Sequence, residues 1–295
     1  MSKKTIKPDT ERILSSLKDF QKKTVNQVFN RLYEEPDCVD RFLIADEVGL
    51  GKTLIARGVI AKAVEKLWDY VPRIDIIYIC SNGDIARQNI NRLNITGKSD
   101  FSRATRMTML PIQIHDLKNN KLNFVSFTPG TSFNLRSSGG VYSERVMLYY
   151  MLKKALNYGN RAPLKNIFRC DVGRNNWRYH LKIFDPNSID KGIQNKFLKA
   201  FKKDKKLTNK LKELLDDFSW DRKRFSYEIR RRQSSFIGKL RKMLAEICID
   251  ALEPDIIILD EFQRFKNLLN SNDEVGKLAE RLFKFQNKEA NVKLM

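Results

Sequence analysis

The sequence predicts an α/β fold: a parallel sheet with helices on its faces, carrying a long and mostly helical basic insertion. Three observations lead there. Short runs of β-branched and leucine residues alternate with amphipathic stretches of helical period in the first and last parts of the chain. A glycine-containing turn joins one such run to the helix after it. Between the two α/β-patterned parts, lysine and arginine interleave with apolar residues at helical spacing. The expected division is residues 1–144 and 251–295 for the α/β domain, with 145–250 as the insertion.

Taken in order, Ile13, Leu14, Leu17, Phe20, Thr24, Val25, Val28, Phe29 and Leu32 recur at three- and four-residue spacing and predict a helix over 11–34. After Pro36, Phe42-Leu43-Ile44-Ala45 reads as a short buried strand. Thr53 to Trp68 reads as a helix with Ile55, Val59, Ile60, Ala63, Val64 and Leu67 inward. Ile74 to Cys80 is an apolar strand, Asp84 to Leu93 a helix, and Leu122 to Phe127 a further strand. Ser143 to about Leu156 is helical. A long helix from Phe236 to Ala251 feeds the strand Asp255 to Leu259, and Asn291 to Met295 reads as the opening of another core strand.

With 42% hydrophobic residues in 295, the chain can form a real core. Its formal charge of +21, from 56 basic and 35 acidic residues, is a physical argument for an anionic partner, nucleic acid first among them. Cys38, Cys80, Cys170 and Cys248 are scattered, with only His115 and His180 to join them, which argues against zinc and for reduced thiols in a cytoplasmic protein. No stretch approaches the about 20 apolar residues of a membrane span, so no membrane partner is expected.

Two motifs carry chemistry. In Asp46-Glu47-Val48-Gly49-Leu50-Gly51-Lys52-Thr53, the two glycines permit a tight turn that aims backbone N–H groups at phosphate oxygens. The following helix adds its positive end. Lys52 suits the β- and γ-phosphates of ATP, and the Thr53 hydroxyl suits Mg2+. In Ile256-Ile257-Ile258-Leu259-Asp260-Glu261, an apolar strand ends in two acids, where ligands of open α/β sheets bind. Asp260 is the expected magnesium-side carboxylate, and Glu261 is placed to orient the hydrolytic water. The bland alternatives are a glycine-rich surface turn and a solvated acidic turn; finding both motifs in one α/β chain favours nucleotide binding.

On these residues the chain resembles the first motor lobe of superfamily 2 helicases and translocases, closest to the Snf2-like branch. Asp46-Glu47-x-Gly49-x-Gly51-Lys52-Thr53 has the form of that family's motif I, and Asp260-Glu261-Phe262-Gln263 resembles its Asp-Glu-x-His motif II, with Gln263 in place of histidine. The resemblance implies a P-loop NTPase (RecA-like) lobe. It further implies that Gln21 contacts adenine, although Gln21 also reads as one polar position on an amphipathic helix. Ser81, Asn82 and Arg87 fall where motif Ia lies, and Thr128-Pro129-Gly130 resembles motif Ib; both would touch the nucleic-acid backbone.

The basic insertion, including Arg230, Arg231 and Arg232, is suited to phosphate contacts. Trp177, Tyr179, Trp220 and Phe225 read either as base-stacking or as core residues of that insertion. The implied function is an ATP-dependent translocase or helicase on nucleic acid, with double-stranded DNA favoured. Genome defence within a multiprotein complex is the implied context. An arginine-bearing second lobe is expected from beyond Met295 or from another chain. The alternative is an ATP-gated nucleic-acid clamp or scaffold without motor activity.

Overall fold

In the computed structural model, β1 (Ile74–Ile79), β2 (Ser102–Ala104), β3 (Leu122–Phe127), β4 (Ile256–Leu259) and β5 (Lys293–Leu294) form one parallel sheet in the order β2-β3-β1-β4-β5. The structure describes residues 6–45, 51–80, 83–97, 102–104, 106–128, 139–155, 162–219, 225–260, 274–285 and 292–295. The chain forms two compact units. One comprises Met1–Arg106, His115–Phe133 and Leu252–Met295; the other comprises Met107–Ile114 and Asn134–Ala251. The second unit thus takes in a short segment well ahead of residue 145.

In the first unit, β1 is central and buried along its whole length, pairing with β3 from Ile74↔Leu122 to Ile79↔Phe127 and with β4 from Ile76↔Ile256 to Ile79↔Leu259. Both faces are covered, which is why these strands read as continuous apolar runs rather than alternating ones. On one face Ile74, Ile76, Tyr78, Leu122, Phe124, Ile256 and Ile258 share a core with α3 (Lys52–Leu67) and α4 (Gly83–Leu93). Ala56, Ile60, Ala63 and Val64 come from α3, and Ala86, Ile90 and Leu93 from α4.

The predicted single helix over 11–34 is two helices, α1 (Thr10–Ser15) and α2 (Asp19–Tyr33). The hydroxyls of Ser15 and Ser16 donate to Arg12 O and Ile13 O, at 2.9 and 2.6 Å, and close the first helix. Lys18 N–H then donates to Gln21 Oε1 at 3.0 Å, so Gln21 reaches back to start the second. Val25 and Val28 of α2 pack against Ile55 and Val59 of α3. Gly58 makes this approach possible: a Cβ there would lie 2.7 Å from Val25 Cγ2.

Phe42-Leu43-Ile44-Ala45 is not the buried strand expected of it. Arg41, just before it, makes a parallel bridge with Leu294, and Phe42 N–H donates to Leu294 O at 2.9 Å. Leu43 is exposed. Lying beyond a two-residue strand at the sheet edge, it has neither the partner length nor the two covered faces a central strand requires. Lys293 pins this edge through its ammonium, 2.8 Å from Asp40 Oδ1 and 3.2 Å from Val39 O.

The second unit contains α6 (Tyr142–Ala155), α7 (Ala162–Arg169), α8 (Arg174–Ile183), α9 (Lys191–Lys203), α10 (Lys205–Asp217) and most of α11 (Tyr227–Leu252); α5 (Leu110–Lys118) starts in it. Phe197, Phe201, Leu207, Leu211, Leu214 and Phe236 are buried, while lysines 196, 199, 202, 203, 205, 206 and 212 are exposed, as the helical spacing predicts. Asp190 caps α9 through Ile193 N–H, at 2.8 Å. Asp204 ends α9 and caps α10 through Leu207 N–H, at 2.9 Å. Among the described residues no helix is long and apolar enough to cross a membrane.

Candidate functional site

Because every strand pairing is parallel, the carboxyl ends of β1, β3 and β4 lie along one edge of the sheet. Thr128 follows β3 there and Asp260 follows β4. The segment 41–45 runs parallel to β5 and leads toward Gly51, so its end faces the same edge. One strand, β5, stands between it and β4. Asp260 and the end of segment 41–45, far apart in the chain, thereby face one edge, where an open α/β sheet binds ligands.

Gly51 precedes α3 with φ +82°, a left-handed conformation that favours glycine. Its carbonyl accepts from Leu54 and Ile55 N–H at 2.8 and 3.1 Å, starting the helix with Lys52 and Thr53 in its first turn. Lys52 is exposed and Thr53 partly buried. The buried Gln21 lies directly against this start, with its Nε2 where a side chain on Gly51 would come within 2.6 Å. Gln21 and Gly51, 30 positions apart in the chain, are therefore neighbours in space.

Asp260 continues the ladder beyond β4, its N–H donating to Ile79 O at 2.9 Å. Its Oδ2 accepts from the Tyr78 hydroxyl and, at 2.8 Å, from Asn89 Nδ2, which also lies 3.2 Å from the Tyr78 oxygen. Burial, reinforced by the Asp260 carboxylate, pushes the Tyr78 phenol far above its usual range, so it stays a donor. This pair orients the carboxylate, as outer partners orient metal-binding groups. Asp260 and the Thr53 hydroxyl are hard oxygen donors, which suits Mg2+. Neither Tyr78 nor Asn89 stood out in the sequence. The available hint was a hydroxyl-bearing aromatic near the end of an otherwise aliphatic strand.

At the opposite, amino ends of the strands lies a buried acidic cluster that the sequence pattern did not reveal. Asp75 Oδ1 accepts from Asn123 Nδ2 at 2.7 Å, and its Oδ2 is 2.6 Å from Arg73 Nε. Asp255 Oδ2 accepts from Asp75 N–H at 2.8 Å. Burial raises Asp75 to about 7 against the pull of Arg73 and Asn123. Burial likewise raises Asp255 to about 6, against its bond from the Asp75 backbone and the charge of Arg73. The cluster belongs to the fold rather than to the ligand edge.

Several predicted positions lie outside the described residues: Asp46, Glu47, Val48, Gly49, Leu50, Ser81, Asn82, Pro129, Gly130, Trp220, Glu261 and Gln263. Arg87 lies on α4, with its side chain outside the description. Arg230 and Arg231 are exposed near the start of α11. Arg232 differs from them: it is partly buried, 2.8 Å from Asp217 Oδ2 and 3.9 Å from Glu213 Oε2. Its charge is already answered within the unit. Trp177 is buried, Phe225 stacks on Phe218 at 4.3 Å, and Tyr179 is exposed. Among the described residues no group of three or more His, Cys, Asp or Glu is placed to hold a metal ion.

No protein-family model, curated protein or solved structure matches this chain.

Proposed function

We propose that this chain is the ATP-binding, RecA-like lobe of a Mg2+-dependent nucleic-acid translocase or helicase, acting on double-stranded DNA. The observation that carries the reading is the shared carboxyl edge. The parallel sheet aims the approach to Gly51-Lys52-Thr53 and the anchored carboxylate of Asp260 at the same side, with β5 between them.

In this reading the start of α3 receives phosphates, with Lys52 supplying charge and the helix supplying its positive end. Gln21, packed on Gly51, is the adenine-side residue. Thr53 and Asp260 would hold Mg2+, whose chemistry there would be charge neutralisation at phosphate oxygens. Tyr78 and Asn89 keep Asp260 oriented, and Glu261 positions the attacking water. A second lobe supplies the arginine, within a larger defence-related assembly. The net charge of +21 supports a polyanionic substrate.

Lys52→Ala is expected to abolish ATP binding while leaving DNA binding in place. Glu261→Gln is expected to keep ATP binding and slow hydrolysis. Turnover is measured with the full partner set, with and without duplex DNA. Stimulation by DNA supports the motor; slow turnover unchanged by DNA sinks it and favours an ATP-gated clamp.

A further inference from the structure

Helix α8 sets Arg174, Trp177, Arg178 and Lys182 on one face, through the three- and four-residue recurrence of a helix. That face, with Lys153 of α6 and Lys165 and Arg169 of α7, lines a cleft of about 540 Å³ within the second unit. Among the described residues no carboxylate lines it. Lys165, Arg169, Arg178 and Lys182 share one concavity and repel each other, and protein walls strengthen the field they share. An anion inside the cleft reverses that cost.

A second observation points the same way. Trp177 is 3% exposed, and its buried Nε1–H has no acceptor among the described residues. The Nε of Arg169 is buried and lacks an acceptor in the same sense. Both residues line the cationic cleft, and a ligand that brings only acceptors, as phosphate oxygens do, suits such a wall.

We propose that this cleft binds a single strand of nucleic acid through its sugar-phosphate backbone. Four cations, Lys165, Arg169, Arg178 and Lys182, exceed what one small anion needs, and the chain's overall charge favours a polyanion. A cleft of this size admits a drug-sized group. One nucleotide unit of a flexible strand enters it, whereas a duplex offers a stiff convex surface and reaches only the rim. The site is distinct from Arg230, Arg231 and Arg232. It depends on the nucleic-acid half of the proposed function and not on the ATP half.

The test is fluorescence anisotropy of a labelled single-stranded DNA of about 20 nucleotides, with the full chain and no ATP. The cleft double variant Arg174→Glu/Arg178→Glu is compared with Lys202→Glu/Lys203→Glu, an equal charge change on exposed α9. Expected is a loss of about tenfold or more for the cleft variant and under about threefold for the α9 variant. The salt slope should fall by about 0.7 for each phosphate that the variant no longer neutralises. Equal weakening by both variants overturns the proposal, because it means diffuse charge alone. So does a loss of duplex binding by the cleft variant as large as its loss of strand binding, or competition by AMP at the concentration that displaces the strand. If the reversed variant melts early, Arg174→Gln/Arg178→Gln is judged by the same outcomes. Because ATP is absent throughout, failure here leaves the nucleotide site untouched, and an inactive Lys52→Ala leaves this site untouched.

Discussion

The side-chain amide of Gln21 occupies the space that a side chain on Gly51 would take, with Nε2 2.6 Å from an ideal Cβ at that position. Gly51 is also held at φ +82°. Two costs therefore attend Gly51→Ala: displacement of the amide, and about 1–2 kcal/mol for a left-handed alanine. The amide is the end of a flexible side chain, so the conformational cost dominates. The expected result is a lower melting temperature together with weaker stabilisation by added ATP. Adding Gln21→Ala should relieve the contact but leave the conformational cost, and because it also removes the acceptor for Lys18 N–H, Gln21→Ala alone is the reference. A double variant as stable as Gln21→Ala in thermal melts refutes this division.

The Asp75 and Asp255 cluster makes stability depend on pH in a defined direction. In the unfolded chain both carboxyls ionise near about 3.9. In the fold burial holds the protons up to about 7 on Asp75 and about 6 on Asp255. Between these limits the native state binds more protons than the unfolded state, so stability falls as pH rises. The contribution is fully present below the ordinary carboxylate range and is lost above about pH 7. Asp75→Asn should flatten the fall while keeping an acceptor for Asn123. Urea midpoints from about pH 5 to 7.5 check this, and an equally steep fall in the variant rules it out.

In the second unit, Glu144 and Arg241 form an ion pair with each residue only 1% exposed in its side chain. Glu144 Oε2 lies 3.1 Å from Arg241 Nε, and Oε1 lies 3.2 Å from Arg241 Nη2. Thr108 Oγ1 and Val141 N–H also donate to the carboxylate. Gly140, at φ +60°, leaves the room: a Cβ there would lie 2.3 Å from Glu144 Oε2 and 2.5 Å from Arg241 Nε. Arg241→Met strands a buried carboxylate and should cost about 3–5 kcal/mol. Glu144→Gln/Arg241→Met should recover much of that loss, because no uncompensated charge remains. Urea unfolding decides; a cost below about 1 kcal/mol for Arg241→Met would show that Thr108 and Val141 suffice.

The strands Ile74–Ile79, Leu122–Phe127 and Ile256–Leu259 were legible from residues alone, because a strand buried on both faces must be apolar throughout. The start of α3 was legible because a left-handed turn into a helix needs a glycine such as Gly51. The lysine-bearing helices α9 and α10 declared their buried sides through helical spacing. Such features depend on neighbours in the chain, and neighbours in the chain are what a sequence displays.

The rest depended on partners brought from afar. Segment 42–45 has the composition of a core strand, yet it lies at an edge beside the short β5, which only the strand order reveals. Tyr78 and Asn89 meet Asp260 across more than 170 positions because β1 and β4 pair in one register. Arg232 looked like its neighbours Arg230 and Arg231 until helix packing set it against Asp217. The cationic cleft is likewise written in no local run: Lys153, Arg169 and Arg178 are ordinary surface residues until three helices converge. Local periodicity specifies which side of an element is buried, whereas the identity of what lies opposite it is set by packing in three dimensions.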